Sequence, residues 1–253
     1  MKFKVLLKPT MKTSNYWIGY FKANARKQRI NWETKPQLTQ AELITILHSL
    51  QIWQLGETSE GVQLTNMAAR HATKTNDPDY LEATKLFIKE EQKHGNNLGR
   101  YLDAIGKPRI KNNLGDSMFR FIRHLNSNME MLTLTVLVVE STAQIFYQAL
   151  KDATNCTLLK EICTDILIDE AHHITFQTER LANVYCNKNT FSRVWRKKAY
   201  KYFFYATACV VWFSHSKLFK AGGNTFNGYL KKMRYKYIKT LETITGNVIA
   251  QFA

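Results

Sequence analysis

Proline and glycine are scarce in this sequence, 4 and 11 among 253 residues. Without a Pro/Gly-rich linker or a low-complexity tract, many short strands joined by tight turns are disfavoured and long helices are expected. Cysteine is scarce too. Cys156, Cys163, Cys186 and Cys209 form no CxxC pair, and they read as small buried thiols in a reducing compartment. Long hydrophobic runs are lacking. The apolar run near the start, 5–7, is too short for the core of a signal peptide. The uncharged stretch 202–216 has 15 residues, short of the roughly 20 that a membrane span needs. The expected location is the cytoplasm, with a peripheral contact at the membrane left open.

Acidic residues are scarce at both ends. Residues 1–38 hold nine Lys/Arg against Glu33 alone, and 190–253 hold twelve against Glu242 alone. The net charge of +16 therefore sits on two basic arms around a slightly acidic middle. Three parts follow: a basic N-terminal extension (1–38), a helical core (39–189), and basic, aromatic-rich C-terminal helices (190–253) that pack on the core or extend it. Apolar residues make up 45% of the chain, ordinary for a globular protein with a core to bury.

The core carries four long amphipathic segments. The first opens at Thr39-Gln40-Ala41-Glu42, a capping box in which hydroxyl and carboxylate satisfy each other's end-of-helix amides. Leu43, Leu50, Glu57 and Leu64 then recur every seven residues, with Ile46, Trp53, Glu60 and Met67 three later. This is a bundle seam with two glutamates where apolar side chains belong. After a polar break, Asp77-Pro78 starts the second helix, with Phe87, Ile88, Glu91, His94 and Leu98 inward. Residues 109–127 form a long connection, with a short helix from Asp116 conceivable; a bundle of two hairpins needs such a crossover. The third helix presents Met129, Thr133, Val136, Leu137, Glu140, Ala143, Gln144 and Tyr147. The fourth presents Ile162, Ile166, Glu170, His173, Ile174 and Gln177. Two further helices, roughly 192–220 and 225–246, flank Gly222-Gly223. Laying Glu57 on Glu140 and Glu91 on Glu170 matches ETSEG with ESTAQ and IKEEQKH with LIDEAHH, so the hairpins read as diverged copies.

The chemistry lies in one Glu on each of two helices and a Glu-x-x-His on each of the others: Glu57, Glu91/His94, Glu140 and Glu170/His173. Spacing of three puts carboxylate and imidazole on one helix face. Four carboxylates buried together are costly without countercharge, and two divalent cations neutralise them. Residues equidistant from a turn share a height in an antiparallel hairpin. The midpoints, 74 for Glu57 with Glu91 and 155 for Glu140 with Glu170, fall in the expected turns, so all six could lie in one layer. A carboxylate-rich set with two imidazoles suits Fe and Mn better than soft metals. Glu60, one turn from Glu57, is either a seventh ligand or a substitute for Glu57; the internal repeat favours Glu57. His172 is expected to face solvent, His71 to be a core or capping residue, and Tyr147 to be packed rather than redox-active. Asp165 and Asp169 are candidate partners for the second ring nitrogen of the histidines.

This pattern resembles the ferritin-like superfamily of di-iron and di-manganese carboxylate proteins across residues 39–185, and Gly56-Glu57-Thr58-Ser59-Glu60 resembles the GExxE segment of rubrerythrins. The resemblance implies an all-α four-helix bundle. Glu57 and Glu140 would be bridging or terminal ligands, and Glu91/His94 and Glu170/His173 paired ones. The cofactor would be two iron ions, or manganese, or a mixed Mn/Fe pair. It further implies an oxidoreductase that reacts with O2 or peroxide, on an organic substrate the sequence does not name. A ferroxidase or iron-handling protein is the alternative within the fold. No paired cysteines follow the bundle, so the rubredoxin-type centre of full rubrerythrins is lacking, and the basic tail matches no storage-ferritin pattern. That tail, with Arg193, Arg196, Lys197, Lys198 and Lys201 beside Tyr202, suits an anionic membrane surface or RNA. It also allows a third alternative, a helical binding protein with structural metals; a homodimer is left open.

Overall fold

The computed structural model describes residues 11–111, 129–186 and 190–245, except the side chains of 186 and 190–193. The crossover and the helix start at Asp116 fall largely outside the described residues. Among the described residues there are eight helices and no strand: α1 (Ser14–Asn24), α2 (Gln40–Glu57), α3 (Val62–Thr75), α4 (Pro78–Ala104), α5 (Met129–Asp152), α6 (Thr157–Cys186), α7 (Thr190–Ala221) and α8 (Phe226–Thr245).

Helix starts follow local chemistry. Thr39 caps α2 and closes the capping box with Glu42, whose other oxygen accepts from the Asn155 amide at 2.6 Å and ties the two hairpins together. Asp77 precedes Pro78 at the start of α4, but its carboxylate caps no amide there; it accepts from Ser14 Oγ at 2.6 Å and pins α1.

The α2/α3–α4 hairpin and the α5–α6 hairpin make the bundle, with α1 laid on α4 and α7 and α8 packed against α2, α5 and α6. Among the described residues, helix α5 alone is long and apolar enough to cross a bilayer, yet most of it is buried inside the protein. The basic stretch 1–38 contains α1, whose Trp17 and Phe21 are core residues; Trp17 Nε1 donates to Glu179 Oε2 at 2.9 Å.

The first core segment is not one helix. Helix α2 stops after Glu57, and α3 restarts at Val62 behind Gly61, whose φ of +64° is left-handed. A Cβ at Gly61 would also lie 2.7 Å from Ile88 Cδ1, so glycine is demanded there on both counts. The heptad seam is therefore cut between Glu57 and Leu64, and heptad counting does not carry Glu60 inward.

Two apolar clusters fill the interior. One is built on Leu50, Leu98, Leu137, Phe146, Ile162 and Ile166, the other on Trp17, Phe21, Phe87, Leu132 and Phe176. Along α4 the boundary falls at Glu91–His94, and on α6 Glu170–His173 lies between Ile166 of the first cluster and Phe176 of the second; on α5 the clusters meet between Leu132 and Leu134, ahead of Glu140. The polar residues occupy one level between two dry layers.

Candidate metal centre

Four helices deliver six side chains to that level. Glu91, Glu140, Glu170 and His173 have ligand atoms within 4.8 Å of one another, and Glu57, Glu91 and His94 form a second such group. Glu91 belongs to both. Glu170 also spans them, with Oε1 3.8 Å from His94 Nδ1 and Oε2 3.9 Å from His173 Nδ1. The carboxylates of the two Glu-x-x-His pairs thus lie between the imidazoles, and Glu57 and Glu140 stand at the two ends.

Glu57 is positioned by the close approach of two backbones. A Cβ on Gly95, next to His94, would lie 2.8 Å from Thr58 Cγ2 and 3.0 Å from the Glu57 carbonyl carbon. Only glycine lets the end of α2 settle against α4 at this point. Tyr147 Oη donates to Glu57 Oε1 at 2.6 Å, which fixes the carboxylate and leaves its other oxygen for the centre. Burial and the Glu57 charge push the Tyr147 phenol well above its ordinary pKa, so it remains a donor. It is fully buried, as expected of a packed tyrosine.

Glu60 is not part of this arrangement. It lies in the non-helical 58–61 stretch and is exposed, because α2 ends before reaching it. His172 is half-buried, with its ring against Tyr20 at a centroid distance of 4.3 Å. His71 packs edge-on to Tyr80.

The histidines are held from behind in a reciprocal way. His94 Nε2 donates to Asp169 Oδ2 at 3.0 Å, and His173 Nε2 donates to Glu90 Oε2 at 2.7 Å. Each supporting carboxylate immediately precedes the glutamate of the opposite Glu-x-x-His pair. A proton on Nε2 leaves Nδ1 with its lone pair directed into the cluster. Burial disfavours the Asp169 charge, but hydrogen bonds from His94 and Lys93 hold its carboxyl well below the usual range. Burial also opposes charge on Glu90, and its bond from His173 keeps that pKa low. Asn24, the last residue of α1, donates to both supporting carboxylates: to Glu90 Oε1 at 2.6 Å and to Asp169 Oδ1 at 2.7 Å. Arg29 and Lys93 pair with Asp165 and Asp169. Of the two aspartates, Asp169 holds a histidine while Asp165 anchors the cations around it.

The inner glutamates are less supported: Glu57 has the bond from Tyr147, while neither Glu170 oxygen has a hydrogen-bond partner. Burial and the charge of Glu91 push the Glu57 carboxyl well above its usual range; burial and Glu140 do the same to Glu170, and burial raises Glu140. His173 is pulled down by burial but driven up further by Glu91 and Glu90. Atoms without a hydrogen-bond partner concentrate here: Glu91 Oε1, both Glu170 oxygens, and Nδ1 of His94 and His173. Glu91 Oε1 and His173 Nδ1 are 2.6 Å apart yet make no aligned hydrogen bond, as befits two donors that converge on a third atom. A cluster that otherwise needs protons to stay buried is one in which cations displace them. Four carboxylates and two neutral imidazoles balance two divalent ions, and the oxygen-rich set suits iron and manganese. The residues present fit a two-ion centre.

A cavity of about 690 Å³ opens beside the centre. Glu57, Glu91 and Glu140 form its floor, Trp53, Phe87 and Val211 its apolar walls, and His48, Val62 and Val210 its outer end. His215 lines it at a kink in α7, where φ is −126° and ψ 20°. The His215 Nδ1 lies 3.0 Å from Ser49 Oγ, and burial, then nearby His48, lowers its pKa to about 4. Lys236 of α8 reaches Gln144, one turn beyond Glu140, and burial lowers its ammonium pKa to about 8.

Glu90, Asn24, Arg29 and His215 were not singled out from the sequence. Glu90 had a signal: aligning the two Glu-x-x-His pairs sets Glu90-Glu91 on Asp169-Glu170, an acid before the ligand in both copies. Asn24, Arg29 and His215 reach the site only through tertiary packing.

No protein-family model matches the chain, and no curated protein matches it. Solved structures do. An R2-like ligand-binding oxidase variant with anaerobically reconstituted Mn/Fe cofactor superposes at a TM-score of 0.66 and 15% identity over 94% of both chains. The same variant with aerobically reconstituted Mn/Fe cofactor gives 0.65 at 16% over 93% of both. The chain has the ferritin-like helical-bundle fold of these R2-like oxidases.

Proposed function

We propose that this protein is a di-metal carboxylate oxidoreductase that binds two ions, iron or a manganese–iron pair, through Glu57, Glu91, His94, Glu140, Glu170 and His173, and reacts with O2 or peroxide. The observation that carries the reading is the convergence of unbonded carboxylate oxygens and two Nδ1 lone pairs between two apolar layers. The Mn/Fe cofactor named for the structural neighbours agrees with this donor set. The ions would supply electrons to the oxidant.

The chain's own residues do the rest. Glu91 and Glu170 lie where both ions can share them, Asp169 and Glu90 orient the imidazoles, and Tyr147 keeps a proton at Oη facing Glu57. The cavity argues for an organic substrate over iron storage. Its apolar walls suit an apolar molecule, and Glu57, Glu91 and Glu140 at its floor place that molecule beside the centre. The test is O2 uptake by the purified protein loaded with ferrous ion under anaerobic conditions. Stoichiometric uptake is expected with the native chain and none with Glu170→Ala; metal binding with no O2 or peroxide consumption would favour structural metals.

A further inference from the structure

Helix α7 is apolar on two sides. Its inner side packs Tyr200, Phe204, Val211, Trp212 and Phe219 into the core. Its outer side carries Trp195, Tyr202 and Phe213 at 59%, 74% and 70% exposure. At about 100° per residue, Trp195, Tyr202, Ala206 and Phe213 fall within about 40° of one another, a stripe about 27 Å long. Exposed Lys198, Lys217 and Lys220 flank it. A globular protein rarely leaves so continuous an apolar face in water without use for it.

The stripe runs into the cavity's rim. Val210, beside it on α7, lines the cavity together with Val62, 56% exposed, and with exposed His48. Ile44, 59% exposed, lies one turn before His48 and is tied to α7 by Lys217 Nζ, which donates to its carbonyl at 3.3 Å. Glu60 is the exposed carboxylate at this rim. Helix α8 adds exposed Lys231, Lys232, Arg234 and Tyr235.

We propose that the outer face of α7 and the cavity rim dock on an anionic lipid bilayer, with the cavity mouth turned toward the acyl chains. Charge complementarity selects an anionic partner, since twelve Lys/Arg face Glu242 alone after residue 190. The aliphatic residues select lipid over nucleic acid. Aromatic rings can stack on bases, but Ile44, Val62 and Val210 have no such use, whereas all of them can sit at the headgroup–acyl boundary. The docking surface is separate from the metal ligands, so it stands or falls independently of the chemistry of the centre.

The experiment is co-sedimentation of the full chain with vesicles of phosphatidylcholine alone or mixed with phosphatidylserine. Binding is expected to the mixed vesicles and to weaken with salt. Tyr202→Ser and Phe213→Ser, both at exposed positions, should each weaken it about tenfold, and Lys198→Gln or Lys217→Gln about fivefold. Circular dichroism and metal content of each variant should match the native chain. No binding to mixed vesicles would overturn the proposal. So would serine variants that bind as well as the native chain, or binding to polyuridylate with none to vesicles.

Discussion

The two hairpins supply matching ligands from unlike surroundings. In the α5–α6 hairpin both helices run unbroken through the centre, and Glu140, Glu170 and His173 sit in mid-helix, almost fully buried. In the other hairpin the first helix ends at Glu57, the chain turns through Gly61, and Glu91 keeps 18% side-chain exposure on the cavity side. The supports differ as well. Asp169, behind His94, is held by Lys93, Arg29 and Asn24, whereas among the described residues Glu90, behind His173, is held by Asn24 alone on that side. A symmetric ligand set thus has one more deeply buried half, which meets the cavity at Glu140, and one whose first helix ends at the centre and whose Glu91 is partly exposed there.

The largest effect should come from the shared carboxylates. Glu91→Ala or Glu170→Ala should empty both ion positions, because each residue lies between the two histidines; metal analysis showing one ion retained would mean that the sharing is not real. Next, Asp169→Asn and Glu90→Gln should each weaken metal affinity by about 10- to 100-fold. Asp169→Asn should be the stronger, as it also strips a partner from Lys93 and Arg29; competition with a chelator ranks the two.

A smaller effect is expected from Gly95→Ala. Its Cβ meets Thr58 and the Glu57 backbone, so it should cost about 1–3 kcal/mol by overpacking and loosen the ion nearer His94 first. Equal weakening at both ions would contradict the asymmetry. Smallest of all, Glu60→Ala should leave metal content unchanged and stability within about 0.5 kcal/mol, as checked by metal analysis and thermal unfolding.

The core helices and the six inward residues could be read from the sequence because each rests on a repeating signal: apolar residues at helical spacing, carboxylate and imidazole three apart, and equal distances from a turn. Glu60 shared the heptad of its neighbours and was misplaced by it, since periodicity does not register a left-handed glycine that ends the helix. Helix α1 was hidden in a basic stretch, where Trp17 and Phe21 form too short an apolar pattern to stand out. Asn24, in that helix, acts at the centre through contacts 66 and 145 residues away in sequence, and no local pattern encodes a contact of that range. His215 joined the site only through a kink in α7.

The most direct test of the account is the metal stoichiometry of the native chain, measured by elemental analysis after purification and again after anaerobic loading with ferrous and manganous ions. Six converging ligands predict about two tightly held ions per chain, iron or manganese and iron together. A chain that takes up none under these conditions, or that holds its ions equally well as Glu170→Ala, would contradict it.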